Sequence, residues 1–267
     1  MPICSLHLVS LRTTVSDFLY LLLKSKPEPL VVSRVIRWII VPESLSVDPL
    51  LNRNIPWDLL VILPGAEGLS PDLREHVGNE WTVKVGIPSR LISGFKQRNE
   101  KLLFPKSEDV PPLSGALNQP RIAGSSQGLE LTEELRGWIE RFSQREGQHA
   151  VSMLNLLAFK PGMKDEYLKY GAEFAKSIGK RRGGNAKIVG NVIDDGSGLG
   201  SGTGSEGKVW DEIALAHYPS IEHFADMLAS EDYQEVNHRH RVGSLKDTFI
   251  LCTSELDLLG VRGPERL

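Results

Sequence analysis

The sequence predicts an α+β protein in which two ferredoxin-like βαββαβ domains in tandem form an internal, pseudo-dimeric α/β-barrel. Three observations support this fold class. The 267 residues are many for one compact domain and enough for two domains of roughly 100–150 residues. Both halves of the chain place strand-like and helix-like segments in the same order, and two short stretches of the first half recur in the second.

The first domain is predicted over residues 1–104. Ile3 to Leu11 alternates loosely, as a strand does, and Thr14 is a capping residue before the apolar stretch from Phe18 to Leu23. Because Asp17 and Lys24 bound that stretch and no small-residue cleavage site follows, we expect a buried amphipathic helix rather than a targeting segment. Two strands, a helix opened by Ser-Pro-Asp and a final strand or irregular edge complete the domain, at 30–41, 57–63, 70–80 and 81–91.

Residues 105–130 are predicted to be a linker, because they are rich in Pro, Gly and Ser and show little hydrophobic periodicity. A helix from Leu131 to near Gly147 has apolar residues at helical spacing and is expected to dock on the second domain, residues 131–255. Residues 256–267 form a tail. The elements of the second domain again occur in the order βαββαβ, at 150–159, 165–178, 187–193, 209–218, 221–230 and 248–253.

A glycine-rich stretch at 196–207 separates the second and third strands of this domain. A phosphate-binding loop needs a helix N-terminus directly after the glycines, whereas a strand follows here. Glycine is also conformationally permissive. The sequence therefore predicts a flexible hairpin tip rather than a phosphate site.

An internal repeat supports the barrel. Pro56 to Pro64 aligns with Val209 to Pro219, each a strand with Trp-Asp near its start, and Leu6 to Arg12 aligns with Leu154 to Lys160. The two alignments need offsets of 153 and 148 positions, so one duplication explains both. A four-stranded sheet with helices on one face leaves its other face bare, and a second copy in the same chain can cover it. The alternative is two domains that each pair with another molecule, as in a homodimer.

Composition limits the possible partners and cofactors. A net charge of −3 with 24% charged residues gives no large field of one sign, so a small-molecule partner is expected rather than nucleic acid or a membrane. Cys4 and Cys252 are too few for a disulfide framework, which fits the cytoplasm. Without His-Glu-x-x-His or cysteine ligand spacing, the sequence predicts no metal site and no cofactor.

The best candidate site is the segment 237–241, Asn-His-Arg-His-Arg. Its two imidazoles and two guanidiniums could hold an anionic substrate or enolate and move a proton near neutral pH. We predict catalytic roles for His238 and Arg241 and a substrate contact for His240. In a helix, His238 and Arg241 would share a face. The alternative is a solvated loop whose arginines pair with nearby acidic residues.

Four further residues are candidates. Asn155 and His217 interrupt apolar strands, and a polar side chain inside a sheet must be hydrogen-bonded or functional. Position parity places His217 with Ile213 and Leu215, so it is a second candidate for the catalytic base. Asn155, Tyr218 and Tyr233 are predicted to contact substrate, against the alternatives of capping or ordinary burial. By contrast, Trp210-Asp211 is predicted to be structural, since its copy lies in the half without the other candidates.

Residues 149 to 255 carry several features together: Arg182-Gly-Gly before the second strand, Trp210-Asp at the third, Tyr218-Pro-Ser before the helix, and Asp232-Tyr-Gln followed by His238-Arg-His-Arg. With these, the region resembles the domain of unknown function 1330 family of the dimeric α/β-barrel superfamily. The resemblance implies a ferredoxin-like fold that binds small, often aromatic or polyketide-like molecules between sheet and cover. The superfamily includes monooxygenases without metal or flavin, lactone isomerases, cyclases and haem enzymes. The first half lacks the Tyr-Gln and His-Arg-His-Arg segment.

These features lead to two hypotheses. In the first, the chain is a cofactor-independent enzyme that transfers protons on a hydrophobic, partly anionic substrate, in an isomerisation, a cyclisation or the oxygenation of an enolate. His238 or His217 would be the base, and Arg241 would steady the developing charge. In the second, the same residues stabilise a non-catalytic ligand-binding or assembly module. A closed pocket lined by His and Arg favours the enzyme, and a filled interior with these side chains in water favours the module.

Overall fold

The computed structural model of the protein describes residues 1–146, 149–195 and 209–258. Its strands are β1 (Ile3–Leu11), β2 (Val31–Ile40), β3 (Leu59–Pro64), β4 (Val77–Gly86), β5 (Val151–Phe159), β6 (Asn185–Asp194), β7 (Glu212–Tyr218) and β8 (Leu245–Glu255). They pair antiparallel and close into one barrel in the order β1-β3-β2-β8-β5-β7-β6-β4. The predicted α+β class and the closed barrel are confirmed. The division into two ferredoxin-like domains stays a prediction.

Helices cover the outside of the barrel. They are α1 (Val15–Lys24), α2 (Pro71–Arg74), α3 (Ser89–Ile92), α4 (Phe95–Leu103), α5 (Glu133–Glu146), α6 (Lys164–Glu173), α7 (Ile221–Ala229) and α8 (Glu231–Val236). The N-cap of α1 is Thr14, whose side chain accepts a hydrogen bond from the Asp17 backbone N–H. Phe18 and Leu22 of α1 are fully buried, as expected of an amphipathic helix. None of the helices in the described residues is both long enough and apolar enough to cross a membrane.

Side chains fill the inside of the barrel, as in other eight-stranded barrels. At its centre the ring of Phe249 meets Trp38, Trp81 and Trp210 edge-on, with centroids 5.3, 5.7 and 5.5 Å away. Leucine, isoleucine and valine side chains from all eight strands pack around these rings. The centre of the barrel is therefore apolar core rather than a ligand cavity.

Two further apolar layers lie between the outer face of the sheet and its helices. One joins α1 and α2 to β1, β2, β3 and the start of β4. The other joins α5, α6, α7 and α8 to β5, β7 and β8, and it holds most of the buried tyrosines. Alternate residues of a strand face opposite sides, so Ile213, Leu215 and His217 of β7 point inward while Ala216 and Tyr218 point outward.

The second helix is shorter than predicted, because it ends at Arg74 rather than near Glu80. From Val77 onward, period-two burial at Trp81, Val83 and Val85 favours a strand. This strand, β4, pairs with β1 along its whole length and with β6 on its other side, so it is not an irregular edge. Likewise, the predicted helix 165–178 is α helical only to Glu173 and then continues as a π-helical turn, Phe174–Ile178.

The predicted linker 105–130 is held against the second half of the chain. Asp226 of α7 accepts hydrogen bonds from the backbone N–H groups of Ser114 and Ala116. His223 of the same helix contacts the Pro111 carbonyl oxygen at 2.9 Å. The segment is therefore anchored by α7 along its middle. The glycine-rich stretch 196–207 and the end of the tail, 259–267, lie outside the described residues.

The Trp-Asp pairs of the repeat make equivalent contacts in both halves. The Asp58 carboxylate accepts a hydrogen bond from the Leu11 backbone N–H at 2.7 Å, and Asp211 accepts one from the Phe159 N–H at 2.8 Å. Each aspartate thus satisfies the backbone at the last residue of the neighbouring strand. Trp210 is fully buried at the barrel centre, where its ring packs against Phe249.

Candidate functional site

Arg241 ends a π-helical turn, Asn237–Arg241, that follows directly on α8. This turn has five-residue spacing and carries Arg241 under the helices, where it is only 1% exposed. Arg241 lies among four tyrosines of the layer between the sheet and α6, α7 and α8. We call these five residues the Arg241–tyrosine cluster: Tyr167, Tyr170, Tyr218, Tyr233 and Arg241.

The tyrosines of the cluster are phenols held in an apolar environment. Burial raises the pKa of all four hydroxyls, and the positive charge of Arg241 acts in the opposite direction on each. The hydroxyls of Tyr170 and Tyr233 lie 3.2 Å apart and share a hydrogen bond. At neutral pH these hydroxyls are protonated, so they can donate hydrogen bonds but do not neutralise the guanidinium.

The guanidinium of Arg241 is incompletely satisfied. Its Nε and Nη2 atoms are buried and have no hydrogen-bond partner in the part of the chain that the structure describes. A buried charge without a counterion is costly for a protein to maintain. Arg241 also borders a cavity of about 260 Å³ that lies beside Gly128, Lys246 and Thr248. The arrangement has spare hydrogen-bond donors and a positive charge next to open space.

A carboxylate and an amide lie on the same outer face of the sheet. Glu212 of β7 is 7% exposed, and burial raises its pKa. Lys164, at the start of α6, is 3.8 Å from Glu212 and donates a hydrogen bond to Asn191. Asn155 of β5 pairs in register with Ala214, two residues from Glu212, and its side-chain amide donates to the carbonyls of Met153 and Ala214.

Glu212 is coupled to the Arg241–tyrosine cluster through Tyr167. Its negative charge is among the causes that raise the pKa of Tyr167, after burial and Tyr170. Ala214 and Ala216, on the same face of β7, are half-buried. A buried carboxyl group of raised pKa near a positive charge is a typical arrangement for proton transfer.

The other histidines of the segment lie toward the surface. His238 contacts Glu130 at 3.1 Å with 44% of its side chain exposed, and His240 contacts Glu166 of α6 at 2.5 Å. The π-helical turn therefore separates His238 from Arg241, which a regular helix would have placed on one face. Their predicted roles remain predictions.

His217 lies on the opposite side of the sheet from Arg241, at one end of the barrel interior. It is 1% exposed, and its Nδ1 has no hydrogen-bond partner among the described residues. Burial, reinforced by the charge of Lys187, lowers its pKa to about 3. The structure thus brings Tyr218 and Tyr233 to Arg241. Asn155 lies on the same outer face of the sheet but makes its hydrogen bonds to the carbonyls of Met153 and Ala214, and neither His217 nor His238 joins this group.

Sequence reasoning missed Glu212, Lys164, Tyr167 and Tyr170. One signal was present for Glu212, a charged residue at a buried strand position directly after Trp-Asp. The tyrosines resemble ordinary core positions of an amphipathic helix. In the described part of the chain, no three His, Cys, Asp or Glu side chains are grouped so that they could hold a metal ion.

Among known proteins, only solved structures are similar to this chain. No protein-family model and no curated protein matches the chain. A protein of unknown function from Rhodopseudomonas palustris is 22% identical, with 48% of this chain and 96% of that chain covered and a TM-score of 0.35. A "putative monooxygenase" from Lactobacillus acidophilus is 9% identical, and the match covers 95% of this chain and 93% of that chain with a TM-score of 0.47. Another "putative monooxygenase", from Fusobacterium nucleatum, is 8% identical, and the match covers 96% of this chain and 93% of that chain with a TM-score of 0.44.

Similarity at these levels of identity and TM-score assigns no activity to this chain. The resemblance of residues 149 to 255 to the domain of unknown function 1330 family stays a prediction, since no family model matches. What the structure adds to that resemblance is the arrangement of Arg241, Glu212 and the tyrosines on one face of the sheet.

Proposed function

We propose that the protein is a small-molecule enzyme that transfers protons on an organic anion, independently of a cofactor. Its substrate would bind in the cavity beside Arg241, which residues at the end of β2, the segment 127–128 and the start of β8 also line, with one end directed toward Glu212 on the same outer face of the sheet. The observation that carries the proposal is the buried guanidinium of Arg241, with two donor atoms unpartnered and a cavity beside it. A carboxylate or enolate oxygen would supply the missing acceptor and counterion.

The chemistry follows from the charges on this face. Glu212 would accept a proton from a carbon next to a carbonyl group, since burial raises its pKa above that of an exposed carboxylate. The negative charge then resides on the carbonyl oxygen, where Arg241 stabilises it. Return of the proton to a second carbon completes an isomerisation. Ring closure and reaction of the enolate with dioxygen are the other outcomes predicted from the sequence.

The remaining residues would position the substrate. Tyr218 and Tyr233 are protonated phenols near the guanidinium, and their hydroxyls now contact Met227 and Tyr170. Asn155 has its amide N–H groups engaged by backbone carbonyls, so its side-chain oxygen would be the atom that accepts from a substrate. In this proposal Glu212 takes the place of the base, because His217 faces the barrel interior and His238 contacts Glu130 at the surface.

A ligand screen tests the proposal. Aromatic and polyketide-like carboxylates and β-keto acids would be compared with their neutral amides by thermal shift. Exchange of the substrate's acidic C–H with deuterium would then be followed by NMR. We expect an acidic ligand to stabilise the wild type but not Arg241→Gln, and exchange to be lost in Glu212→Gln with binding retained. Arg239→Gln, whose residue pairs with Glu235 at the surface, is the matched control.

Two results would redirect the assignment. Equal binding by wild type and Arg241→Gln would place the ligand elsewhere. Full exchange in Glu212→Gln, combined with loss in His238→Gln or His217→Gln, would return the role of base to a histidine as the sequence predicts.

The second candidate function is a non-catalytic ligand-binding module. It is favoured by one observation: the hydroxyls of the tyrosine cluster are deeply buried, and His238 and His240 contact glutamates instead of a cavity. A ligand that depends on Arg241 for binding but undergoes no exchange or turnover would support this function.

We also infer that the barrel is a tandem of two ferredoxin-like halves, with domain bounds 1–104 and 131–255, a linker at 105–130 and a tail at 256–267. In each half the sheet runs fourth, first, third, second strand: β4-β1-β3-β2 and β8-β5-β7-β6. The equivalent contacts of Asp58 and Asp211 support this inference. Sedimentation velocity would distinguish a monomer, closed by its own second half, from a homodimer.

A further inference from the structure

A second cavity, of about 430 Å³, lies between β2 and α5. Val35 and Ile36 of β2 form its strand side, and Trp138 and Phe142 of α5 contribute aromatic rings. This volume falls within the roughly 300–1,000 Å³ that small-molecule sites occupy. It shares no lining residue with the cavity beside Arg241, so a ligand bound here would be independent of the proton-transfer function proposed for Arg241 and Glu212.

On the helix side of the cavity, two aromatic residues and two arginines each recur at a spacing of four residues. Trp138 and Phe142 are one turn apart, with ring centroids 5.0 Å from each other and planes tilted by 31°. Arg141 and Arg145 are also one turn apart and line the same cavity. Because residues four apart share a helix face, α5 presents two rings and two guanidiniums together. A flat ring could lie against the aromatic pair with its substituents near the arginines.

The charge around the cavity is positive, although the chain carries −3 overall. Three arginines line it with one carboxylate, Glu146, which pairs with Arg34 at 2.6 Å. Arg141 and Arg145 make no ion pair with any described residue. Arg145 lies in the last turn of α5, where its charge complements the helix dipole. Like charges four residues apart disfavour a helix, so the stability of α5 does not explain Arg141.

Other arginines of β2 and α5 are paired with carboxylates. Arg37 stacks 4.7 Å over the Trp138 ring, and both of its terminal nitrogens bond the Glu134 carboxylate. Arg136, on α5 but outside the cavity, is paired with Glu133 and Glu140. Only the two helix arginines that line the cavity lack such a partner among the described residues of α5 and β2.

We propose that this cavity binds a planar aromatic molecule that carries two negative charges, as carboxylate or phosphate. The ring packs against Phe142 and against the part of Trp138 that lines the cavity, since Arg37 already covers the Trp138 ring elsewhere. The anionic oxygens, of two carboxylates or of one phosphate, take bidentate hydrogen bonds from Arg141 and Arg145, whose guanidiniums match the geometry of either oxyanion.

Isothermal titration calorimetry at low ionic strength tests the site in the chain of residues 1–267. The probes are benzene-1,3-dicarboxylate and phenyl phosphate, with cyclohexane-1,3-dicarboxylate as charge without the flat ring and benzamide as ring without charge. We expect both aromatic dianions to bind, and the tighter of the two to identify the anionic group. Neither control compound should match them. Binding should weaken with added salt.

Variants assign the binding to these residues. Arg141→Gln/Arg145→Gln should weaken the affinity roughly tenfold or more, since each charge-assisted hydrogen bond contributes substantially. Trp138→Leu should abolish the preference for the aromatic over the cyclohexane diacid. Arg136→Gln is the control and should bind as wild type, and circular dichroism verifies that each variant is folded. Undiminished binding by the double arginine variant, or no binding of either aromatic probe at millimolar concentration, would overturn the proposal.

Discussion

At the scale of single residues, Arg241 occupies a position that favours ligand binding over stability. Its guanidinium is buried and two of its nitrogens are unpartnered in the described structure. Replacing a poorly compensated buried charge by an apolar side chain of similar length is often neutral or stabilising. We therefore expect Arg241→Met to raise the free energy of unfolding by about 1–4 kcal/mol in the absence of ligand. Urea denaturation at neutral pH measures this change.

The matched control for this prediction is Arg239→Met. Arg239 precedes Arg241 by two residues but is exposed and paired with Glu235, so its replacement should change stability by less than about 0.5 kcal/mol. If Arg241→Met were instead destabilised by several kcal/mol, the guanidinium would be a structural element of the helix layer. The proposed substrate anion would then lose its main support.

His217 predicts a specific pH dependence of stability. Burial, with the charge of Lys187, lowers its pKa to about 3 in the folded protein, whereas an unfolded histidine titrates near pH 6.5. The unfolded chain therefore takes up a proton below pH 6.5 that the folded protein does not. The contribution of His217 to stability is present above pH 6.5 and is lost as the pH falls. Between pH 6.5 and 5 the loss should be about 2 kcal/mol.

Urea denaturation at a series of pH values tests this dependence. The fall in the free energy of unfolding should be smaller by about that amount in His217→Leu, because the titrating group is gone. His149→Gln is the control, since His149 is exposed, and should follow the wild type. A His217→Leu profile parallel to that of the wild type would mean that other groups cause the pH dependence.

Part of the candidate site could be predicted from the sequence. Arg241 was indicated by the cluster of basic residues, and Asn155 by its place in an apolar strand. The depth of Arg241 could not be predicted, because it depends on a π-helical turn rather than a regular helix. Glu212 and Tyr167 come together only when α6 packs on the outer face of the sheet, and nothing local in either segment specifies that packing.

At the scale of secondary structure elements, local signals located most helices and strands. Thr14 begins α1, and Ser70-Pro71 begins α2, as capping preferences predict. The length of α2 could not be predicted in the same way. The segment from Val77 to Gly86 forms a strand because it pairs with β1 and β6 on both sides, and those partners are distant in sequence.

Replacing the aspartate of either Trp-Asp pair should lower the free energy of unfolding by a similar amount in the two halves. Asp58 and Asp211 each accept a backbone N–H at the end of the neighbouring strand. Hydrogen bonds to charged groups contribute more than neutral ones, so Asp58→Ala and Asp211→Ala should each lower the free energy of unfolding by about 1.5–3 kcal/mol. Chemical denaturation of the two variants compares them directly.

Asp72 provides the reference for these substitutions. It is exposed in the first turn of α2, and Asp72→Ala should cost only about 0.3–1 kcal/mol through the helix dipole. A large loss in one half with no loss in the other would show that the two contacts are not equivalent, and would weaken the inference of a duplicated unit.

At the scale of the whole molecule, closure of the barrel follows from the need to cover the inner face of each half. The sequence supports that requirement but does not specify the seams. These are formed by β2 with β8 and by β4 with β6, both with irregular register. A buried polar cluster also joins the halves: Lys187 of β6 contacts Glu255 of β8 at 2.5 Å and donates to Asn99 of α4 at 3.1 Å.

This cluster leads to a prediction about cooperativity. Lys187→Met leaves the Glu255 carboxylate buried without its cation, so the free energy of unfolding should fall by about 3–5 kcal/mol. The double variant Lys187→Met/Glu255→Leu should recover most of that loss, because neither charge remains. Since both seams and the interior are shared, tryptophan fluorescence and far-UV circular dichroism should report one coincident transition in every variant. Two separable transitions, with only one sensitive to Lys187→Met, would mean that the halves fold independently and that the closed barrel is not the cooperative unit.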